Sequence, residues 1–145
     1  MTAITVDSDQ FAIVQFHQNS KLTLRASEDI SAGAAIIPDP TTGEWMLAAG
    51  NDAANSGPLV YLATKTVLEG RELTGVRDCI VDLGKSALDG LDFGAPLYLA
   101  DEDSGPPVVR GILDTDIDTS TVDKVVGYVV PNFSGLTVNR LFQVL

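Results

Sequence analysis

Leu97-Tyr98-Leu99 is followed by the acidic stretch Asp101-Glu102-Asp103-Ser104-Gly105 and then by a second apolar run, Val108 to Leu113. Two short apolar runs joined by a polar, Gly-containing segment are typical of β-strands connected by a turn. The pattern recurs along the chain, where Gly, Pro, Asn or Asp bound further apolar runs at 22–24, 35–37, 45–47, 59–62, 76–83, 125–130 and 141–145. The sequence therefore predicts a mostly-β domain.

Helical signals are weak in comparison. No window of about 11–18 residues carries an apolar face at helical spacing without an interrupting Gly or Pro. Lys85 to Gly90 is the best candidate and predicts one or two helical turns, with Ser86 as the N-cap and Gly90 as the stop. The expected architecture is a small β-barrel or β-sandwich with one short helix.

The first twenty residues contain a single apolar run, Phe11 to Phe16, between polar segments. A strand formed by this run would carry apolar side chains on both faces. It is either the first strand of the sheet, or part of an extended arm that becomes ordered on a partner, for example by adding a strand to the partner's sheet. Following the second interpretation, we divide the chain into an N-terminal arm, residues 1–20, which would contact the partner, and a single domain, residues 21–145.

Length and charge exclude several classes of protein. A chain of 145 residues fits one domain. No run approaches the ~20 apolar residues of a membrane span, and no basic segment precedes an apolar one as in a signal peptide, so we expect no membrane contact and no secretion. The net charge is −11 and the nine Lys and Arg residues are scattered singly, so we expect no nucleic-acid partner.

The sequence predicts no metal site and no cofactor. One cysteine and one histidine form neither an internal disulfide nor a structural zinc site. Cys79 shares a strand face with apolar neighbours and is expected to be buried. Asp114, Asp116 and Asp118 resemble the start of a calcium-binding loop, but Thr119 and Val125 stand where that loop needs Gly and Glu. We interpret these carboxylates as a solvated turn and leave weak cation binding open.

No arrangement for catalysis is recognisable either. Nucleophilic catalysis needs a nucleophile with an oriented base, and the single histidine, His17, lies in the N-terminal segment. The sequence contains neither of the Gly-rich phosphate-binding motifs, G-x-x-x-x-G-K-[ST] and G-x-G-x-x-G after a strand. We therefore expect a binding or structural protein and not an enzyme.

Three segments resemble the small capsid decoration (cement) proteins of tailed bacteriophages. They are Ile30 to Ile37, Ala87 to Leu99, and Val125 to Val130 together with the final run Leu141 to Leu145. The most recognisable part is Gly94-Ala95-Pro96-Leu97-Tyr98, which leads into the acidic turn. The resemblance covers residues 22–145 and has no counterpart in the N-terminal segment.

This resemblance implies a β-barrel of the β-tulip type that assembles as a homotrimer. Such trimers bind the major capsid protein on the exterior of the icosahedral head, at three-fold and quasi-three-fold positions. They stabilise the head against the pressure of the packaged DNA. The chain would then be made in the host cytoplasm and end on the virion surface, with no catalytic residues carried over from the family.

Two sets of residues follow as candidates for sites. The two-faced apolar pattern of the N-terminal run predicts capsid anchors at Phe11, Ile13, Val14 and Phe16. Strand-like, turn-bounded settings predict core or trimer-interface positions for Trp45, Tyr61, Phe93, Leu97 and Tyr98.

The alternative is a head-fibre or tail-associated adhesin that binds carbohydrate on the host surface. In that case exposed aromatic rings would contact the sugar, with Trp45 and Tyr61 as the first candidates.

Overall fold

A computed structural model describes residues 3–16, 20–50, 60–101, 110–115, 125–132 and 139–145. These residues form two antiparallel sheets, so the predicted mostly-β fold is confirmed; the described sheets stay open and do not close into a barrel. The strands are β1 (Ala12–Phe16), β2 (Lys21–Arg25), β3 (Ala35–Pro38), β4 (Trp45–Leu47), β5 (Tyr61–Ala63), β6 (Glu72–Val76), β7 (Cys79–Asp82), β8 (Pro96–Leu99), β9 (Leu113–Asp114), β10 (Val125–Val130) and β11 (Leu141–Val144).

The six-stranded sheet has the order β1-β7-β11-β10-β8-β9, and the five-stranded sheet has the order β2-β6-β5-β3-β4. Most of the buried apolar residues belong to one core cluster that includes Ile37, Leu62, Val81, Leu97 and Phe142. A smaller cluster surrounds Trp45 in the five-stranded sheet. Because the large cluster draws side chains from both sheets, burial between them holds the two layers together.

The apolar run 76–83 forms two strands instead of the single strand that its pattern predicts. Val76 ends β6 in the five-stranded sheet, and Cys79 begins β7 in the six-stranded sheet. Asp78 between them has φ of 53°, a left-handed conformation that Asp tolerates better than most residues. This corner passes the chain from one sheet to the other.

The expected helix at 85–90 is wrong, because these residues form a series of turns. The backbone bonds run from Asp89 N–H to the Ser86 carbonyl (3.4 Å) and from Leu91 N–H to the Leu88 carbonyl (3.3 Å). Both span three residues, and Gly90 then adopts a positive φ of 79°. The left-handed conformation of Gly90 thus ends the run of turns before an α-helical turn with i to i+4 hydrogen bonds can form.

The described part of the N-terminal segment is built onto the domain and does not extend away from it. Strand β1 pairs with β7 at the edge of the six-stranded sheet. Upstream, Ile4 N–H donates to the Leu113 carbonyl (2.8 Å), and Asp7 N–H donates to the Leu83 carbonyl (2.9 Å). The structure therefore agrees with the first interpretation, in which the apolar run is a strand of the sheet. Among the described residues, those before residue 20 are part of the same domain as those after it.

Candidate functional site

The four proposed capsid anchors lie in or beside β1. Phe11 and Ile13 are half-buried and pack against the main core cluster. Val14 is half-buried at the point where the pairing with β7 shifts register. Phe16 pairs with Cys79 at the end of the strand, and its side chain lies outside the described part. Two of the four residues therefore contribute apolar surface to the core of their own domain.

Two glycines fix the path of the segment that precedes β1. A Cβ atom at Gly33 would lie 2.4 Å from Val6 Cγ1, and one at Gly84 would lie 2.5 Å from Asp7 Cβ. Both glycines also have positive φ values, 83° and 115°. The segment thus packs directly on glycine backbone, a close approach that no larger residue permits.

The other candidate residues occupy three different environments. Trp45 and Leu97 are fully buried, while Tyr61 and Tyr98 are half-buried. The Trp45 Nε1–H donates to the Leu73 carbonyl at 2.7 Å, and its ring meets that of Tyr61 edge-on with centroids 5.1 Å apart. Phe93 is different, with 57% of its surface exposed. Full burial removes Trp45 from the set of residues that a sugar could contact.

The outer face of the six-stranded sheet carries a row of uncharged side chains, which we call the neutral face. Register places Ile80, Gln143, Tyr128 and Pro96 side by side on four neighbouring strands. Gln143 and Tyr128 are exposed, and the other two are half-buried. Neighbours of these residues along the strands, such as Val81 and Phe142, point into the core. The sequence shows the alternation within each strand, but the long-range pairing that forms the row is visible only in the fold.

The described residues contain few groups that could bind a metal ion or act as a nucleophile. No group of three or more His, Cys, Asp or Glu side chains there could hold a metal ion. Cys79 is buried, as predicted, and burial together with the nearby Asp78 carboxylate raises the pKa of its thiol to about 11. Asp114 is 2% exposed and ends strand β9, so the predicted solvated turn is wrong for this carboxylate. Asp116, Asp118 and His17 lie outside the described residues. The described part also contains no helix that could span a membrane.

Two clefts on the described surface differ in the groups that line them. One, of about 410 Å³, lies between the N-terminal segment 3–8, the turn 31–34 and residues 111–113, and small or apolar groups line it without a charged side chain. The other, of about 370 Å³, lies near the start of β11, and its lining consists of Asp89, Phe93, Asn132, Asn139 and Arg140. We call it the Phe93 cleft. It combines charged, amide and aromatic groups, which the first cleft does not.

Comparison of the chain with protein-family models, curated proteins and solved structures found no match. The resemblance to phage decoration proteins therefore stays a prediction, which depends on the quoted segments alone.

Proposed function

We propose that this chain is a capsid decoration protein, which binds the exterior of a mature icosahedral phage head as a homotrimer and stabilises it. The observation that carries the proposal is the neutral face. In a chain with 20 acidic residues, the row Ile80, Gln143, Tyr128 and Pro96 contains no charge. Depletion of charge with retention of aromatic groups is typical of the centre of a protein–protein interface.

Geometry and electrostatics support a contact through this face. Four neighbouring strands present a row about 14 Å across, at ~4.8 Å between strands. Acidic copies repel one another, but charges farther apart than ~8 Å are largely screened at physiological salt. A face free of charge therefore allows copies or capsid subunits to approach. Three linked contacts in a trimer can raise the apparent affinity by about 10²–10⁴ over a single contact.

The proposed function does not require a catalytic group. A trimer whose contacts match the subunit spacing only in the expanded head would bind the mature lattice selectively. The apolar N-terminal residues that remain half-exposed, Val14 foremost, would add to this contact at the edge of the sheet.

A charge placed within the neutral face tests the proposal. We expect Tyr128→Glu to abolish trimer formation or binding to the heads of the phage that encodes the chain, because it introduces a carboxylate that the interface must desolvate. Leu68→Glu is the matched control, since Leu68 is 64% exposed and lies in a turn of the other sheet. The measurements are light scattering and co-sedimentation with purified heads. Full binding by a folded Tyr128→Glu variant would contradict the role of the face, and absence of the wild-type chain from heads would contradict the function.

The adhesin alternative has one observation in its favour. Its first candidate, Trp45, is buried, but Phe93 presents an exposed ring beside polar groups. Co-sedimentation with host cells instead of heads would favour this alternative.

A further inference from the structure

The Phe93 cleft combines one aromatic ring with charged and amide groups. Its volume of about 370 Å³ is near the lower end of the range for such sites, roughly 300–1,000 Å³. Phe93 is 57% exposed although it is a large apolar residue, and the core clusters do not include it. Its ring therefore adds little to the core, and the ring surface that Arg140 does not cover is available to a ligand.

Hydrogen bonds, most of them partly buried, fix one wall of the cleft. The Asn139 side-chain amide donates to both carboxylate oxygens of Asp82, at 3.1 and 3.2 Å. Asp82 is 7% exposed and also accepts from the backbone N–H of Gly84 at 2.9 Å. The Asn132 side-chain amide donates to the backbone carbonyl of Asn139 at 3.0 Å. A wall that is held in place before binding reduces the entropy that a ligand must lose.

The guanidinium of Arg140 is positioned by stacking. Its Cζ atom lies 4.5 Å from the centroid of the Phe93 ring, a cation–π contact. Within the described part of the chain, no carboxylate forms an ion pair with it. The planar fork carries five N–H donors, so Arg140 offers hydrogen bonds beside the ring.

We propose that the Phe93 cleft binds a neutral carbohydrate. Sugar hydroxyls both donate and accept hydrogen bonds, which matches the donors of Arg140 and the carboxylate of Asp89. The apolar C–H face of a sugar ring packs on an aromatic ring such as Phe93. The carboxylate of Asp89 and the net charge of −11 oppose an anionic ligand. The proposal is independent of capsid attachment.

The test is an NMR titration of ¹⁵N-labelled full-length protein. The probes are glucose, galactose, mannose, N-acetylglucosamine, maltose and lactose. We expect at least one of them to cause saturable shifts at the backbone amides of 89–94, Asn132 and 139–140. Loss of the stacking surface in Phe93→Ala should weaken that binding roughly tenfold. Because Phe93 is exposed, the variant should keep the wild-type spectrum elsewhere.

Two controls test whether the shifts arise from a sugar bound in the Phe93 cleft. Leu68→Ala removes a side chain of similar exposure from a distant turn and should leave sugar binding unchanged. Titration with sodium acetate and with glutamate tests for an anion site instead. The absence of saturable shifts with every sugar, or saturation by the carboxylates alone, would overturn the proposal. Co-sedimentation of the wild-type chain with heads measures the decoration function with Phe93 unchanged, so failure of the sugar site and failure of the decoration function are distinguishable.

Discussion

Replacing Gly75 by alanine tests how closely the five-stranded sheet packs around Trp45. A Cβ atom at Gly75 would lie 2.8 Å from Trp45 Cζ2, 2.9 Å from Cη2 and 3.0 Å from Tyr61 Cβ. The indole is fully buried and held by its hydrogen bond to the Leu73 carbonyl, so it has little room to move away. Gly75 has no positive φ, and the cost of the substitution is therefore steric. We expect Gly75→Ala to lower the free energy of unfolding by ~1–3 kcal/mol.

A double-mutant cycle isolates this contact. Trp45→Phe removes Cζ2 and Cη2 and should itself cost ~2 kcal/mol, through a lost hydrogen bond and a small cavity. Of the three nearest contacts, only the one with Tyr61 remains in that background. Alanine also restricts the unfolded chain, which contributes ~0.4–1 kcal/mol of stability. Gly75→Ala should therefore cost at least ~1 kcal/mol less in the Trp45→Phe protein than in wild type.

Urea unfolding followed by far-UV circular dichroism measures all four proteins. Fluorescence is unsuitable because Trp45 is the single tryptophan of the chain. With a slope of ~2 kcal/mol per M, a loss of 2 kcal/mol shifts the midpoint by about 1 M. The packing argument is refuted if the two substitutions add to within ~0.5 kcal/mol, which is the expectation for independent sites.

Four further predictions concern the six-stranded sheet and the segment that packs on it. Gly84→Ala should cost ~1–3 kcal/mol and speed hydrogen exchange at the Asp7 amide, because the new methyl displaces Asp7; unchanged exchange would contradict this. Cys79 should react with a thiol reagent near pH 8 only after unfolding, since its raised pKa keeps the thiol neutral. The same raised pKa predicts how the free energy of unfolding depends on pH. Cys79 should have no effect on it below pH 9.0, and the free energy of unfolding should fall between pH 9.0 and about pH 11, because the thiol ionises in the unfolded chain before it does in the folded protein. A Cys79→Ala variant should lack this fall. Asp82→Ala should cost ~1–3 kcal/mol in a denaturant titration, because it removes the carboxylate that accepts from the Gly84 N–H and from the Asn139 side-chain amide.

Most strands can be located from the sequence because apolar runs and their bounding residues are local signals. The runs 45–47 and 125–130 coincide with β4 and β10. Strand β6 escapes this pattern because it begins with Glu72 and contains Gly75, both poor strand formers. Gly75 is needed there by Trp45, a residue thirty positions away, and no local pattern reports such a requirement.

The limits of local sequence signals also explain why the predicted helix and the predicted single strand 76–83 are wrong. Ser86 and Gly90 carry the signals of the two ends of a helix, although they lie too close together to complete α-helical hydrogen bonding. Apolar alternation continues through 76–83, but the left-handed conformation of Asp78 redirects the chain into the other sheet. Periodicity reports which residues are buried, and it is insensitive to the layer in which they are buried.

Placement of the N-terminal segment changes where a capsid contact should be sought. The apolar atoms by which Phe11 and Ile13 pack on the core are not available to a partner as long as the segment stays in place. Deleting residues 1–20 would remove β1, which pairs with β7, and Ile4, which is buried. Loss of binding by such a truncation would then report loss of the fold as readily as loss of an anchor. The side chains of Tyr128 and Gln143 in the neutral face do not have this double role, since they are exposed and belong to neither core cluster. Point variants in that face therefore distinguish a capsid contact from a structural effect, which a truncation cannot do.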